Sequence, residues 1–168
     1  MNYHPGGLEQ TKKLLELAGP LKGRWLDMGA GAGETLRLLK SLGLDAVGID
    51  LNPRAPEILE ADFTAAPFES GSFQGVISQC AFYCSGKREK AIAEAARLLK
   101  KGGKLLLSDV CYNKAELMNN LENGGFKLLC FEDLTPLWRE YYLEALWREE
   151  NVTTGKGCSY FAAVCERI

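Results

Sequence analysis

The chain reads as an α/β domain built on a doubly wound, mostly parallel sheet of seven strands. Three observations predict it. Seven short apolar runs alternate with helix-patterned stretches, which implies strand–helix–strand units with right-handed crossovers. An acid leads out of the first run into alternate glycines, Asp27-Met28-Gly29-Ala30-Gly31-Ala32-Gly33. The 168 residues, 46% of them hydrophobic, suffice for one core and show no linker, repeat or low-complexity stretch.

The first helix is expected over 11–21, where Leu14, Leu15, Leu17 and Ala18 share a face before the stop signal Gly19-Pro20. A strand follows at 24–28, then a helix at 34–42 with Leu36, Leu38, Leu39 and Leu42 at helical spacing before Gly43. The second strand, 45–50, ends in the acid Asp50; strands three, four and five fall at 58–62, 75–79 and 104–110. Between the last two, a helix over 87–101 turns Ile92, Ala95, Ala96 and Leu99 inward. It closes on Lys100-Lys101-Gly102-Gly103, where lysines suit the negative end of the helix dipole and glycine the left-handed cap. A helix (114–123), a strand (126–132), a helix (137–150) and a last strand (160–166) complete one domain spanning 1–168. Residues 1–22 are its N-terminal helix and lid segment, and 136–151 the helix inserted between the last two strands.

One crossover is short. Only residues 51–57 separate the second strand from the third, whereas a parallel crossover takes a dozen or more. A helix of that length covers about 10 Å, less than the ~17 Å of a five-residue strand, so the connection is expected to be mostly extended, with its helix reduced or missing. Pro53 and Pro56 agree, since each disfavours helix in the residue before it. The sheet face left bare would serve a homodimer or be covered by another segment.

Charge narrows the partners. Twenty Lys and Arg against 22 Asp and Glu, with no long basic run, argue against a nucleic-acid partner and for a small molecule. No apolar stretch approaches ~18 residues and no signal-peptide pattern opens the chain, so no membrane partner and a cytoplasmic location are expected. Six cysteines lack the paired spacing of zinc sites and read as free thiols, with no metal.

The glycine turn brings backbone against a ligand beyond the carboxyl ends of the strands. A dinucleotide fingerprint aligned at Gly29 needs glycine at 34, where Glu34 stands, and Asp27 precedes the turn. Two carboxylates flanking the loop would repel a pyrophosphate and suit an ammonium and a sulfonium. Asp50 is placed to accept from both ribose hydroxyls, so the ligand is a cationic, phosphate-free adenosine.

On these residues the sequence resembles the class I S-adenosylmethionine-dependent methyltransferases, especially small bacterial members similar to the quinone-biosynthesis methyltransferases. The likeness covers roughly residues 8–130. It rests on the 26–33 loop, on Gly48-Ile49-Asp50, on Ala61-Asp62-Phe63 with Pro67-Phe68 and Gly71-Ser72-Phe73, and on 96–104 (Ala-Arg-Leu-Leu-Lys-Lys-Gly-Gly-Lys). It implies a Rossmann-like sheet with an antiparallel last strand and S-adenosylmethionine as cofactor. Met28, Gly29, Ala30, Gly31 and Gly33 would face the methionine part, with Asp27 orienting loop and ammonium and Asp50 and Leu51 at the ribose. Asp62 would accept from the adenine amino group with Phe63 beside the ring, and Gln79 and Cys80 would lie beneath the methionine and face the acceptor. The opening His4-Pro5-Gly6-Gly7-Leu8 resembles a subgroup whose N-terminal segment helps close the site. The chain departs from relatives in the lost helix after Asp50 and in the short stretch after Val110, where relatives often carry an acceptor-covering insertion.

Methyl transfer from a sulfonium is an in-line displacement, so alignment and water exclusion matter more than elaborate catalytic groups. A general base is needed only for a protonated nucleophile. The candidates are His4, the one histidine, and Tyr83, with Tyr3 beside His4; a terminal exposed histidine and a buried core tyrosine are the bland alternatives. Cys80, Cys84 and Cys111 either rim the pocket for a soft acceptor or are small apolar fillers. Trp138, Tyr141, Tyr142, Ala145 and Leu146 follow helical spacing, with Trp147 nearby, and read as one buried amphipathic face or as an acceptor wall. The leading function is methyl transfer to a small-molecule acceptor. The alternatives are a non-catalytic S-adenosylmethionine or S-adenosylhomocysteine binder and an NAD(P)-dependent oxidoreductase.

Overall fold

A computed structural model describes residues 4–148 and 157–168. In chain order the elements are α1 Gly7–Leu17, β1 Arg24–Met28, α2 Glu34–Ser41, β2 Asp45–Asp50, β3 Leu59–Glu60 and β4 Phe73–Gln79. Then come α3 Arg88–Leu98, β5 Leu99–Cys111, α4 Lys114–Asn123, β6 Phe126–Asp133, α5 Thr135–Trp147 and β7 Ser159–Arg167. The strands form one sheet in the order β3-β2-β1-β4-β5-β7-β6. It is parallel from β3 to β5, and β7 runs antiparallel to both β5 and β6. The α/β class, the seven strands and the antiparallel final strand agree with the sequence.

Period-two alternation sends successive β1 side chains to opposite layers. Leu26 and Met28 pack with α3 and α4 residues such as Ile92 and Leu117, whereas Trp25 packs with Leu14 of α1 and Leu36 of α2. Each large apolar side chain so buried contributes about 1.5–3 kcal/mol. Trp25 lies across Gly75 of β4, its register partner, where any Cβ would overlap the indole. Asp27 shares the Trp25 side of the strand and is carried to its upper end, 3% exposed.

Where the structure departs from expectation, tertiary context explains it. Helix α1 starts four residues earlier than 11, behind Gly6 at φ 75°, and ends before Gly19 at φ 81°. Its buried face is therefore Gly7, Gln10, Thr11, Leu14 and Leu15, and Leu17 is exposed. Helix α3 stops at Leu98, and the Lys-Lys-Gly-Gly signal belongs to the start of β5, at a register shift opposite Phe73 and Gly75. Helix α5 is not a buried amphipathic face: Ala145 is its one buried residue, Trp138 stacks on Tyr142 at 5.2 Å, and Leu143, Leu146 and Trp147 are exposed. The expected continuation of this helix to 151 lies outside the described residues past 148.

The short crossover has no helix, as expected, but it consists of turns rather than extended chain. The premise of a five-residue third strand fails: β3 has two residues, pairing Ile49 with Leu59 and Asp50 with Glu60 at the very end of β2. The chain need not travel back along β2, so it needs no length. The next connection, 61–72, also lacks a helix, and it covers the opposite face of the sheet, the one that packs α3 and α4. Phe63 and Ala66 are buried and Phe68 packs beside them, over Val47 and Ile49. The side chain of Glu94 accepts from Ala66 N (2.9 Å) and pairs with Arg97 (2.6 Å), which donates to Phe68 O (2.9 Å) and Ala66 O (3.2 Å). On the α1/α2 face, where the missing helix would lie, Ile58 is buried and Ala55 half-buried beside Leu36 and Ala46. Among the described residues, no helix is long and apolar enough to cross a membrane.

Candidate cofactor site

A cavity of about 350 Å³ opens at the carboxyl ends of β1, β2 and β4, beside the sheet's switch point between β1 and β4. Asp27, Gly29, Ala30, Gly31, Asp50, Leu51, Phe63, Gln79, Cys80 and His4 line it, so ten of the sequence-assigned residues meet there. The turn after β1 depends on glycine: Gly29 has φ 86°, and a Cβ on it would overlap that of Ala81 in the turn after β4. Gly29 N and Ala30 N both donate to Ile49 O (2.9 and 3.0 Å), which seats the loop on β2.

Asp50 fixes the loop from the other side. Its two carboxylate oxygens accept from Gly31 N (2.9 Å) and Asn52 N (2.8 Å), and each keeps a lone pair for a further donor. Asp27 is different. Burial, then the charge of Asp50, pushes its carboxyl up to about 7, although a Leu36 backbone N–H opposes this. Its Oδ2 is buried without a hydrogen-bond partner among the described residues. Gln79 shows the converse: Oε1 accepts from Thr35 Oγ1 (2.9 Å) and Thr11 Oγ1 (3.2 Å), and Nε2 is buried with no partner among the described residues.

His4 is 6% exposed rather than a loose terminal residue. Burial holds its imidazole below the ordinary value, and both ring nitrogens are engaged, Nδ1 with Pro5 O and Nε2 with Thr11 Oγ1, each at 3.3 Å. Tyr3 lies outside the described residues. Cys80 has a left-handed backbone (φ 56°), rare outside glycine and a mark of strain at functional sites. Burial pushes its thiol up to about 12, and Sγ sits 3.3 Å from Tyr160 Oη. Burial raises the thiols of Cys84 and Cys111 as well, so all three are neutral at pH 7 and none is a ready thiolate. No cluster of metal-ligating side chains occurs among the described residues.

Four assigned residues do not line the cavity. Met28 is fully buried in the α3/α4 layer, because strand alternation sends its side chain away from Asp27, and its carbonyl accepts from Ser78 Oγ (2.8 Å). Gly33 is the left-handed N-cap of α2 and shapes the loop's exit. Asp62 turns to Thr64, accepting from its N (2.8 Å) and Oγ1 (2.7 Å), and pairs with Lys87 at 3.5 Å. Tyr83 is exposed and turned to Tyr112, with ring centroids 5.5 Å apart, rather than buried or in the cavity. The sequence reading missed Thr35, Asn52, Arg54 and Ser85 as lining residues, and Glu34 joins them as the acid it had noted beside the loop. Arg54 donates its backbone N–H to Gly31 O (2.9 Å) and lays its guanidinium over that glycine. It is the one cation of 51–58, a signal that pattern reading for length alone passed over.

Residues 26–107 match the model of a methyltransferase domain. The chain is 32% identical over 101 residues to sarcosine/dimethylglycine N-methyltransferase of Halorhodospira halochloris, covering 50% of this chain and 36% of that one. It is 32% identical over 107 residues to demethylmenaquinone methyltransferase of Renibacterium salmoninarum, covering 57% and 45%. A solved structure of Haemonchus contortus phosphoethanolamine N-methyltransferase 2, with phosphomonomethylethanolamine and S-adenosylhomocysteine, superposes with a TM-score of 0.80. Sequence identity there is 21%, over 98% of this chain and 53% of that one. These matches support a class I S-adenosylmethionine-dependent methyltransferase, and the superposition shows that fold. The chain spans less than half the length of those two curated relatives.

The residues present fit the family's cofactor. Asp27 Oδ2 is an orphaned acceptor and Gln79 Nε2 an orphaned donor, both buried at the same cavity, as the ammonium and carboxylate of an α-amino acid require. Asp50 stands at the end of β2 with acceptor capacity to spare, and the Phe63 ring offers a flat apolar wall.

Proposed function

We propose that this chain transfers a methyl group from S-adenosylmethionine to a small-molecule acceptor. The observation that carries the reading is that two residues lining one cavity beside the glycine loop, Asp27 and Gln79, each hold a buried polar atom, Oδ2 and Nε2, with no partner among the described residues. When bound, S-adenosylmethionine supplies a methyl group already activated on a sulfonium. The protein's own task is to hold two partners at about 3–3.5 Å and keep water out. In this reading Asp27 takes the ammonium, Gln79 the carboxylate and Asp50 the ribose hydroxyls, with Phe63 against the adenine. Asp62, engaged with Thr64 and Lys87, reaches the adenine edge only by giving up one of those contacts. Cys80 and Cys84 form a neutral wall toward the acceptor. The likeness to a sarcosine/dimethylglycine N-methyltransferase and to a demethylmenaquinone methyltransferase supports a small acceptor.

A second reading, a non-catalytic binder of the same cofactor, is favoured by the state of the base candidates: His4 has both nitrogens engaged and Tyr83 faces away. Titration calorimetry and labelled-methyl turnover separate the cases. S-adenosylhomocysteine should bind at micromolar levels and NADH should not, and Asp50→Ala should weaken binding by about 50-fold or more, the worth of charge-assisted hydrogen bonds to two hydroxyls. Turnover on a panel of amines, quinols and thiols then distinguishes enzyme from binder. Absence of binding by both S-adenosylmethionine and S-adenosylhomocysteine would sink both readings.

A further inference from the structure

The loop glycines and Asp50 seat a ligand through the 27–33 turn, but Gln79 belongs to a second network that nothing in the family likeness assigns. Its side chain is reached by two helices on one face of the sheet. Thr11 of α1, 0% exposed, and Thr35 of α2, 7% exposed, both direct hydroxyls at Oε1, at 3.2 and 2.9 Å. Thr11 is backed in turn by His4, whose Nε2 lies 3.3 Å from the same Oγ1. A hydroxyl carries one proton. When Thr11 gives it to Gln79, it withholds it from Gly7 O, 3.3 Å away, and a neutral imidazole that donates from Nε2 to Thr11 Oγ1 has no proton on Nδ1 for Pro5 O. With Thr11 so committed, Gln79 Oε1 takes two hydroxyl protons, and the side-chain atoms left unmatched are His4 Nδ1, opposite Pro5 O, and Gln79 Nε2, the buried amide nitrogen of a cavity-lining residue.

We infer that Thr11 and Thr35 are positioning residues of the cofactor pocket: together they hold the Gln79 amide with its nitrogen turned inward, as the donor for a ligand carboxylate. The inference rests on the cofactor reading above. An amide's two ends have nearly the same shape, and only the groups around it decide which faces the ligand. Two hydroxyls that donate on the oxygen side favour that choice at no cost in charge. Because one hydroxyl comes from α1, seating of the N-terminal helix and recognition of the carboxylate become one event. Loss of either threonine frees the amide to rotate and present oxygen to an anion, which turns attraction into repulsion.

The test pairs variants with two ligands, S-adenosylhomocysteine and its decarboxylated analogue, which keeps the ammonium and lacks the carboxylate. Calorimetry on the full chain should show wild type preferring the former by about tenfold, the scale of a hydrogen bond to a charged group. Thr35→Val and Thr11→Val should each erase most of that preference, weakening S-adenosylhomocysteine about five- to tenfold while holding the analogue within about twofold. Thr35→Ser should restore it. Gln79→Glu, which sets a carboxylate against the carboxylate, should weaken S-adenosylhomocysteine alone, by more than about tenfold. Equal losses for both ligands would mean that the threonines merely support the helices, and unchanged binding would mean they do nothing here; either overturns the inference. If a valine variant fails to fold, the corresponding alanine variant, which also removes the hydroxyl, is read against the same two ligands and decides. Failure of wild type to bind S-adenosylhomocysteine would instead refute the cofactor reading itself.

Discussion

The upper ends of β1 and β5 each bury an aspartate, and the two regions use it in opposite ways. Asp109, at the end of β5, is 0% exposed, yet both its oxygens are matched: Oδ2 accepts from Tyr83 N and Oδ1 from Val110 N, each at 2.8 Å. It ties the turn after β4 to β5. Asp27 is as deeply placed but has an oxygen with no partner among the described residues. Burial raises both, Asp109 to about 6 and Asp27 to about 7, so the shift alone does not tell them apart. Pairing does. A carboxylate answered by the chain's own amides is a brace, and one left unanswered beside a cavity is a socket.

Substitution should separate the two most sharply. Asp109→Ala strands two backbone donors and should cost about 2–4 kcal/mol, lowering Tm by about 5–15 °C while leaving S-adenosylhomocysteine binding within a few-fold. Asp27→Asn should do the reverse, weakening binding by about 30-fold or more while raising stability at pH 8 by about 1–3 kcal/mol, because no charge is then buried. Thermal melts paired with calorimetry check both, and a binding loss confined to Asp109→Ala would break the contrast.

The pH response is the next largest effect. A raised folded-state pKa stabilises the protein below the unfolded value near 3.8 and is lost as pH climbs through about 7, so Asp27 makes the wild type less stable across that window. Asp27→Asn should flatten its share of the slope in urea-unfolding free energies between pH 4 and 8. Binding runs the other way, since the ammonium needs the ionised carboxylate: affinity for S-adenosylhomocysteine should fall toward tenfold per pH unit below about 7 and level off above it. An affinity flat from pH 5.5 to 8 would remove Asp27 from the site. The smallest effect belongs to Asp62→Ala, whose carboxylate is occupied by Thr64 and Lys87; a two- to fivefold loss of binding is expected, and a loss matching that of Asp50→Ala would promote it to a principal contact.

What the sequence disclosed followed the range of the forces involved. The glycine turn, β1 and β2 were legible because local signals, an apolar run closed by an acid and a required left-handed backbone, act within a few residues. The start of α1 was not, since Gly6 rather than a polar cap opens it and the buried face is chosen by the sheet beneath. The length of β3 was invisible for a similar reason: Leu59 and Glu60 look no different from a longer strand until their pairing with the tip of β2 is known. Within the site, Asp27 and Asp50 stood out by position. Gln79's importance depends on Thr11, 68 residues away, and Thr35, 44 residues away, a separation no spacing rule reaches. Tyr83 was misplaced because the turn after β4 is anchored by its backbone to Asp109.

The bonds from Glu94 and Arg97 to the stretch around Ala66 and Phe68 have a mechanical corollary. They weld the chain beside Phe63 to a helix packed against the centre of the sheet, so that flank of the cleft is its stationary jaw. The opposite flank, carried by His4 and α1, meets the pocket through hydroxyl and imidazole contacts, and α1 is anchored behind them by Leu14 and Leu15 among Trp25 and Leu36. Under the proposed function, the Phe63 flank is then the fixed surface against which a bound ligand rests.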